Sequence, residues 1–133
     1  MKHLLLFISV FFIISCSSSD DSSPANQDNN TINPPEWIQG VWYSNFDGVN
    51  TGIGFKITSD DFCTVLQSTQ NCWKELVETS EGQLIVSENI SDTDYAISFI
   101  GSGSSTSIHL QKVSATEIKT VTTSGLETHY YKQ

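Results

Sequence analysis

From Trp37 to the end of the chain, apolar and polar residues alternate with a period of two. In one such run, Ile53, Phe55 and Ile57 are separated by Gly54 and Lys56. A two-residue period directs every second side chain to the same face of a strand. The pattern therefore predicts antiparallel strands that each have one buried and one solvated face.

Short stretches rich in Gly, Asp, Asn and Ser separate the alternating runs, for example at Asp47-Gly48, Glu81-Gly82 and Ser124-Gly125. Such residues are typical of tight turns, and the gaps are too short for parallel crossovers. We predict about eight or nine short strands that follow one another as an up-and-down meander. The segment from Trp73 to Glu78 is compatible with one short helix, but we predict a strand there.

The predicted fold is all-β, and the meander favours a closed barrel because closure removes the unpaired edges of a sheet. A small β-sandwich is the alternative. The alternation directs one set of apolar residues to the interior: Phe55, Ile57, Leu84, Val86, Tyr95, Ile97, Phe99, Ile108, Leu110 and Tyr130. In a barrel of such short strands these side chains either fill the interior or line a ligand cavity, and the pattern leaves both open.

The first residues of the chain are typical of an exported protein. A short basic start is followed by an apolar run of about a dozen residues, which is too short for a permanent membrane helix. The run ends in Ile13-Ile14-Ser15-Cys16, which resembles a bacterial lipobox. This resemblance implies that residues 1–15 are a signal peptide and that Cys16 becomes lipidated. An ordinary signal peptide with a chance cysteine is the alternative.

Residues 16–34 contain many Ser, Asp and Asn residues, and the part from Ser17 to Thr31 has no aromatic residue. We predict that they form a disordered tether ahead of a single folded domain at residues 35–133. The sequence from Ser17 to Asp21 resembles the signal of surface-exposed lipoproteins of Bacteroidetes. It implies attachment to the outer membrane by the lipid on Cys16, facing the cell surface, with the periplasmic face as the alternative.

The charge and the cysteines narrow the possible partners and the redox state. The chain has 6 Lys+Arg against 15 Asp+Glu, a formal charge of −9, and all six cations are lysines. This net negative charge excludes the positively charged surface that binding to nucleic acid needs. Cys63 and Cys72 remain after lipidation of Cys16, and their spacing suits two facing strands. In an oxidising compartment we favour a disulfide over two buried thiols.

Three short motifs resemble lipocalins and small lipocalin-like lipoproteins of Bacteroidetes. They are Gly40-x-Trp42 shortly after Trp37, Thr93-Asp94-Tyr95, and Tyr130-Tyr131-Lys132 at the end of the chain. The resemblance implies a barrel that binds a small apolar or amphipathic molecule, with Gly40 and Trp42 closing one end. Lipocalins place an arginine over this tryptophan. This chain has none, so we expect Lys132 to cover the ring instead.

No sequence motif for catalysis or nucleotide binding stands out. His109 and His129 alternate with the apolar positions, so we expect both near the surface. Asn45, Asp47 and Asn50 loosely resemble a calcium loop, but a tight turn explains the same residues. We therefore expect no enzyme activity, no metal and no cofactor, and we expect a monomer.

Two function hypotheses remain. In the first, the barrel binds a small hydrophobic ligand. In the second, the barrel is filled by side chains and its surface binds a glycan or a protein through exposed aromatic residues. The candidates for that surface are Trp37, Tyr43, Trp73 and Tyr131.

Overall fold

A computed structural model describes residues 25–27 and 30–133, and more than half of this part of the chain belongs to one ten-stranded antiparallel sheet. Its strands are β1 (Ala25–Gln27), β2 (Gly40–Phe46), β3 (Val49–Ile57), β4 (Phe62–Leu66), β5 (Thr69–Cys72), β6 (Ile85–Ile90), β7 (Asp94–Gly101), β8 (Ser104–Lys112), β9 (Glu117–Val121) and β10 (Glu127–Lys132). A 3-10 helix at Glu36–Ile38 precedes β2, and one α-helix, α1 (Trp73–Thr79), connects β5 to β6.

The strand order is β1-β6-β7-β8-β9-β10-β2-β3-β4-β5, and every neighbouring pair is antiparallel. From β2 onward each strand pairs with the next one along the chain, except at the step from β5 to β6. The last strand, β10, pairs with β2, so the sheet curls strongly. The predicted all-β meander is confirmed. The predicted closure is not found, because β5 and β6 do not pair, and the result is a curled half-barrel.

Helix α1 stands at the point where the barrel remains open, and the prediction of a strand at Trp73 to Glu78 is wrong. The disulfide between Cys63 and Cys72 fixes the end of β5 against β4. Immediately after it, the Asp61 carboxylate accepts a hydrogen bond from the backbone N–H of Lys74 at 2.9 Å. Because a carboxylate satisfies a free N–H of the first turn, the chain begins a helix at this position. The pairing that would close the barrel is thereby lost.

The folded part of the chain begins before residue 35, where we predicted its boundary. Ala25–Gln27 pairs with β6, and Ile32 is only 4% exposed within the core. Strand β1 pairs with β6 through its backbone, so the polar composition of the predicted tether did not indicate this pairing. Cys16 and the predicted signal peptide lie outside the described residues.

The concave face of the sheet carries the hydrophobic core. Eight of the ten predicted interior residues are buried there, and Leu84 and Ile108 are half-buried against them. The aromatic rings of Phe55, Phe62 and Tyr130 lie in contact, with centroids 5.5 Å and 4.8 Å from that of Phe55. The buried side chains on this face therefore form one hydrophobic cluster.

Candidate functional site

A cleft opens between β8 and β9, where the sheet splits. Strand β8 pairs with β7 along its length, from Ser104 to Gln111, but it pairs with β9 only at Leu110, Gln111 and Lys112. Toward the β7–β8 and β9–β10 turns the two strands separate. The resulting cavity has a volume of about 380 Å³, within the range of small-molecule sites.

The cleft combines an apolar base with hydroxyl groups. It is lined by Phe55, Ala96, Ser107, Ile108, His109, Thr120, Val121, Thr122 and Thr123. Phe55 reaches the cleft from across the half-barrel, and its packing against Phe62 and Tyr130 holds its ring in place. Among the ten predicted interior residues, only Phe55 and Ile108 line this cavity.

His109 lies at the cleft with an oriented ring. Its Nε2 is 3.1 Å from Asp94 Oδ1, which also accepts a hydrogen bond from Gln111 Nε2 at 3.1 Å. The Thr93 hydroxyl donates to the other carboxylate oxygen at 2.8 Å. The hydrogen bond from Thr93, with smaller contributions from Gln111 and His109, lowers the pKa of Asp94. Asp94 is therefore a carboxylate that fixes the His109 ring beside the cleft.

The end of the half-barrel near the 3-10 helix is closed by Trp42, which is fully buried. Its indole N–H donates to the Ile38 carbonyl oxygen at 2.7 Å, and Lys132 Nζ lies 5.1 Å from the ring centroid. Gly40 has a φ of 139°, and a Cβ there would lie 2.7 Å from Lys132 Cε. The structure thus brings together Gly40, Trp42 and Lys132, the three residues predicted to close the barrel.

Glu88 is a buried acid that sequence reasoning missed. It is 1% exposed and accepts a hydrogen bond from the Tyr95 hydroxyl at 2.5 Å. The backbone N–H of Asn33 donates to both of its oxygens, at 3.1 Å and 3.0 Å. Burial raises the pKa of Glu88, although these hydrogen bonds oppose the shift. The carboxyl group fastens the N-terminal segment to the core. The sequence signal for its burial was its position between Val86 and Ile90 on the apolar side of β6.

Of the four aromatic residues predicted to be exposed, two are built into the fold. The Trp37 indole N–H donates to the Ser91 carbonyl oxygen at 3.0 Å, and the Trp73 ring stacks on Phe99 with centroids 3.9 Å apart. Both are only half-buried, but their rings are held by these contacts. Tyr43 and Tyr131 are paired across β2 and β10 on the outer face, and Tyr131 is 36% exposed.

The remaining predicted positions carry no binding geometry. Asp47 and Gly48 form the tight β2–β3 turn, and the Asn50 side chain accepts a hydrogen bond from the Gly52 N–H. His129 Nδ1 lies 2.6 Å from Glu117 Oε1 on the outer face. In the described residues, one group of potential metal ligands comes close together, Asp61 with Cys63 and Cys72, but the disulfide occupies both sulfur atoms.

Neither a protein-family model, a curated protein nor a solved structure matches this chain. Within residues 25–27 and 30–133, no helix is both long and apolar enough to span a bilayer. The lipocalin resemblance stays a prediction.

Proposed function

We propose that this protein is a non-enzymatic binding protein that holds a small apolar or amphipathic ligand in the cleft between β8 and β9. The observation that carries the proposal is the cavity of about 380 Å³ with Phe55 and Ile108 at its base. Because Phe55 is part of the core cluster and Ile108 packs against it, the site we propose lies at the edge of this core.

The lining favours a ligand with one apolar and one polar part. Phe55 and Ile108 offer apolar surface, whose removal from water stabilises a complex. The hydroxyl groups of Thr120 and Thr123 belong to residues of the same lining and can donate or accept hydrogen bonds. An amphipathic molecule satisfies both kinds of contact, whereas a purely apolar one leaves the hydroxyl groups without partners.

A lipocalin-like relationship belongs to the same proposal. Its support is the pairing of the last strand, β10, with β2 and the placement of Lys132 over the buried Trp42. Lipocalins close their barrels fully, whereas here α1 replaces the closing pair, so we propose a shortened and opened variant of that architecture.

The cleft proposal is tested with residues 17–133, which contain the whole described sheet and core. The probe is N-phenyl-1-naphthylamine, a small neutral fluorophore that brightens in apolar sites. We expect binding to the parent chain and a loss of affinity of at least about tenfold in Thr120→Trp, because an indole ring fills the cleft.

Thr128→Trp is the matched control. Thr128 is paired with Thr120 across β10 and β9 and faces the same side, but it does not line the cleft. We expect this variant to bind the probe within about twofold of the parent. Equal losses in the two variants, or no binding to the parent, would contradict the proposed site.

We further propose that a lipid on Cys16 anchors the protein to the outer membrane, facing the cell surface, because Ile13-Ile14-Ser15-Cys16 resembles a lipobox. We expect the full chain to incorporate radiolabelled palmitate when it is expressed in a bacterium, and Cys16→Ala to incorporate none. Cys72→Ala, which removes a disulfide cysteine, is the control and should remain labelled. Label that persists in Cys16→Ala would rule out this anchor.

A second candidate function, glycan or protein binding, is favoured by one observation. Tyr43 and Tyr131 lie next to each other on the outer face of the sheet. Paired aromatic rings are common at surfaces that bind sugars or proteins. Loss of glycan binding in Tyr131→Ala with unchanged probe binding in the cleft would assign this function to the outer face.

A further inference from the structure

We infer that the cleft binds a peptide in extended conformation, which pairs with the free backbone edge of β8. The inference rests on the proposed function, since it names the class of ligand for the same cleft. It is argued from the strand register, the composition of the lining and the charge of the chain.

The register shows which backbone groups of β8 face the cleft. The N–H of Lys112 donates to Thr93 before β7, whereas the N–H of Val113 donates to Glu117 of β9. Because successive residues of a strand direct their N–H and C=O groups to opposite sides, the odd-numbered positions of β8 face β9. Ser105 and Ser107 are odd-numbered, and they lie beyond the β8–β9 pairing of the described residues, which begins at Leu110.

Within the part of the chain that the structure describes, these two residues therefore offer a strand edge without a strand partner. In an antiparallel ladder, each of them would exchange two hydrogen bonds with an added strand, up to about four in all. An exposed row of unpaired N–H and C=O groups of this kind is a template for an added strand. Among the described strands the outer edges of β1 and β5 are unpaired as well, but the cleft lies beside β8.

The lining shows that the cleft lies in the plane of the sheet. Phe55, Ile108 and Thr120 belong to the concave face, because they alternate or pair with core residues. Ser107 and His109 belong to the opposite face, and both sets border the same cavity. A cavity bordered by both faces leaves space beside β8 for an added strand.

Side chains and charge define the peptide further. Alternate side chains of an added strand would point to Phe55 and Ile108, where small branched apolar groups fit. The others would point outward, next to His109 and Asp94. The chain carries a formal charge of −9, so lysine at the outward positions is favoured. The ligand class is an extended peptide of alternating apolar and basic residues.

The probe for this inference is fluorescein-labelled acetyl-Lys-Val-Lys-Val-Lys-amide, measured by fluorescence anisotropy with residues 17–133. Ser107→Pro removes an N–H that faces the cleft and leaves the hydrogen bonds to β7 in place. We expect it to weaken peptide binding at least about tenfold. Ser107→Ala also loses the hydroxyl bond to Ser98 but keeps the N–H, so its affinity should stay within about twofold of the parent.

Two N-methylated peptides test the same pairing without altering the protein. One carries N-methyl groups on both valines and the other on the lysines, and the side chains stay the same. Because alternate N–H groups point to opposite edges, we expect at least one of the two to lose binding by about tenfold or more. This result decides the inference even if Ser107→Pro does not fold.

Three results would overturn the inference. They are no binding of the unmethylated peptide, full binding of both methylated peptides, and full binding to a folded Ser107→Pro. If N-phenyl-1-naphthylamine still binds in the cleft in any of these cases, the proposed function stands and only the peptide class fails. If neither probe binds, both proposals fail.

Discussion

Replacing Trp42 by alanine is expected to lower the free energy of unfolding of residues 17–133 by about 3–5 kcal/mol. The side chain is fully buried, and its removal leaves a large cavity beneath Lys132. The Ile38 carbonyl oxygen also loses the indole N–H at 2.7 Å, which adds the cost of an unsatisfied buried acceptor. Small domains are stable by only about 5–15 kcal/mol, so this change removes much of the margin. Urea unfolding followed by circular dichroism measures it.

Trp37→Ala is the matched control for this prediction. Trp37 lies at the same end of the half-barrel, and its indole N–H also donates to a backbone carbonyl, that of Ser91. It is only half-buried, so we expect a smaller loss, about 1–2 kcal/mol. The comparison isolates burial, because residue type and kind of hydrogen bond are the same. Equal losses in the two variants would show that Trp42 does not hold the closed end together.

The inward positions of the strands could be predicted because they follow from backbone geometry alone. A strand alternates its side chains whatever it packs against. Ile97 and Leu110 could therefore be placed inside without knowledge of their neighbours. The pairing of Cys63 with Cys72 followed from the same argument, since nine positions suit two facing strands.

The cleft could not be predicted, because it depends on where a pairing ends. Ser107, His109 and Thr120 continue the same alternation as the paired residues around them. Nothing in a two-residue period marks the point at which β8 and β9 separate. Helix α1 was missed for a related reason. Its start depends on Asp61, which lies before β4 and reaches Lys74 only in the folded chain.

Glu88 was accessible to sequence reasoning in principle. It occupies an inward position of β6. An acid at such a position either becomes buried or displaces the strand from the core. Its partners could not have been named, since the Asn33 N–H comes from a segment whose composition indicated a tether. A buried polar group needs its donors, so Glu88 also explains why the fold extends N-terminal of residue 35.

Glu88→Gln is expected to make the protein more stable relative to the parent as the pH rises from about 4 to about 8. Burial raises the pKa of Glu88 above its ordinary value of 4.5. A raised pKa in the folded state contributes stability that is present below the unfolded pKa and is lost as the pH rises through the folded pKa. Glutamine does not titrate, so the variant avoids this loss. Each unit by which the pKa differs between the folded and the unfolded state corresponds to about 1.4 kcal/mol in the free energy of unfolding.

Urea unfolding at several pH values measures this difference between variant and parent. The comparison is needed because Asp94, whose pKa is lowered, contributes stability that is lost as the pH falls. That opposite contribution is common to both proteins and cancels. The hydrogen bond from the Tyr95 hydroxyl favours the charged form of Glu88 and so opposes the rise of its pKa. Tyr95→Phe removes this bond, so the stability of that variant should depend more steeply on pH than the stability of the parent. Two results would contradict this prediction. The difference in the free energy of unfolding between Glu88→Gln and the parent could stay constant with pH, or the parent could be the more stable protein at high pH. Either result would show that Glu88 is not a carboxyl group held in the core.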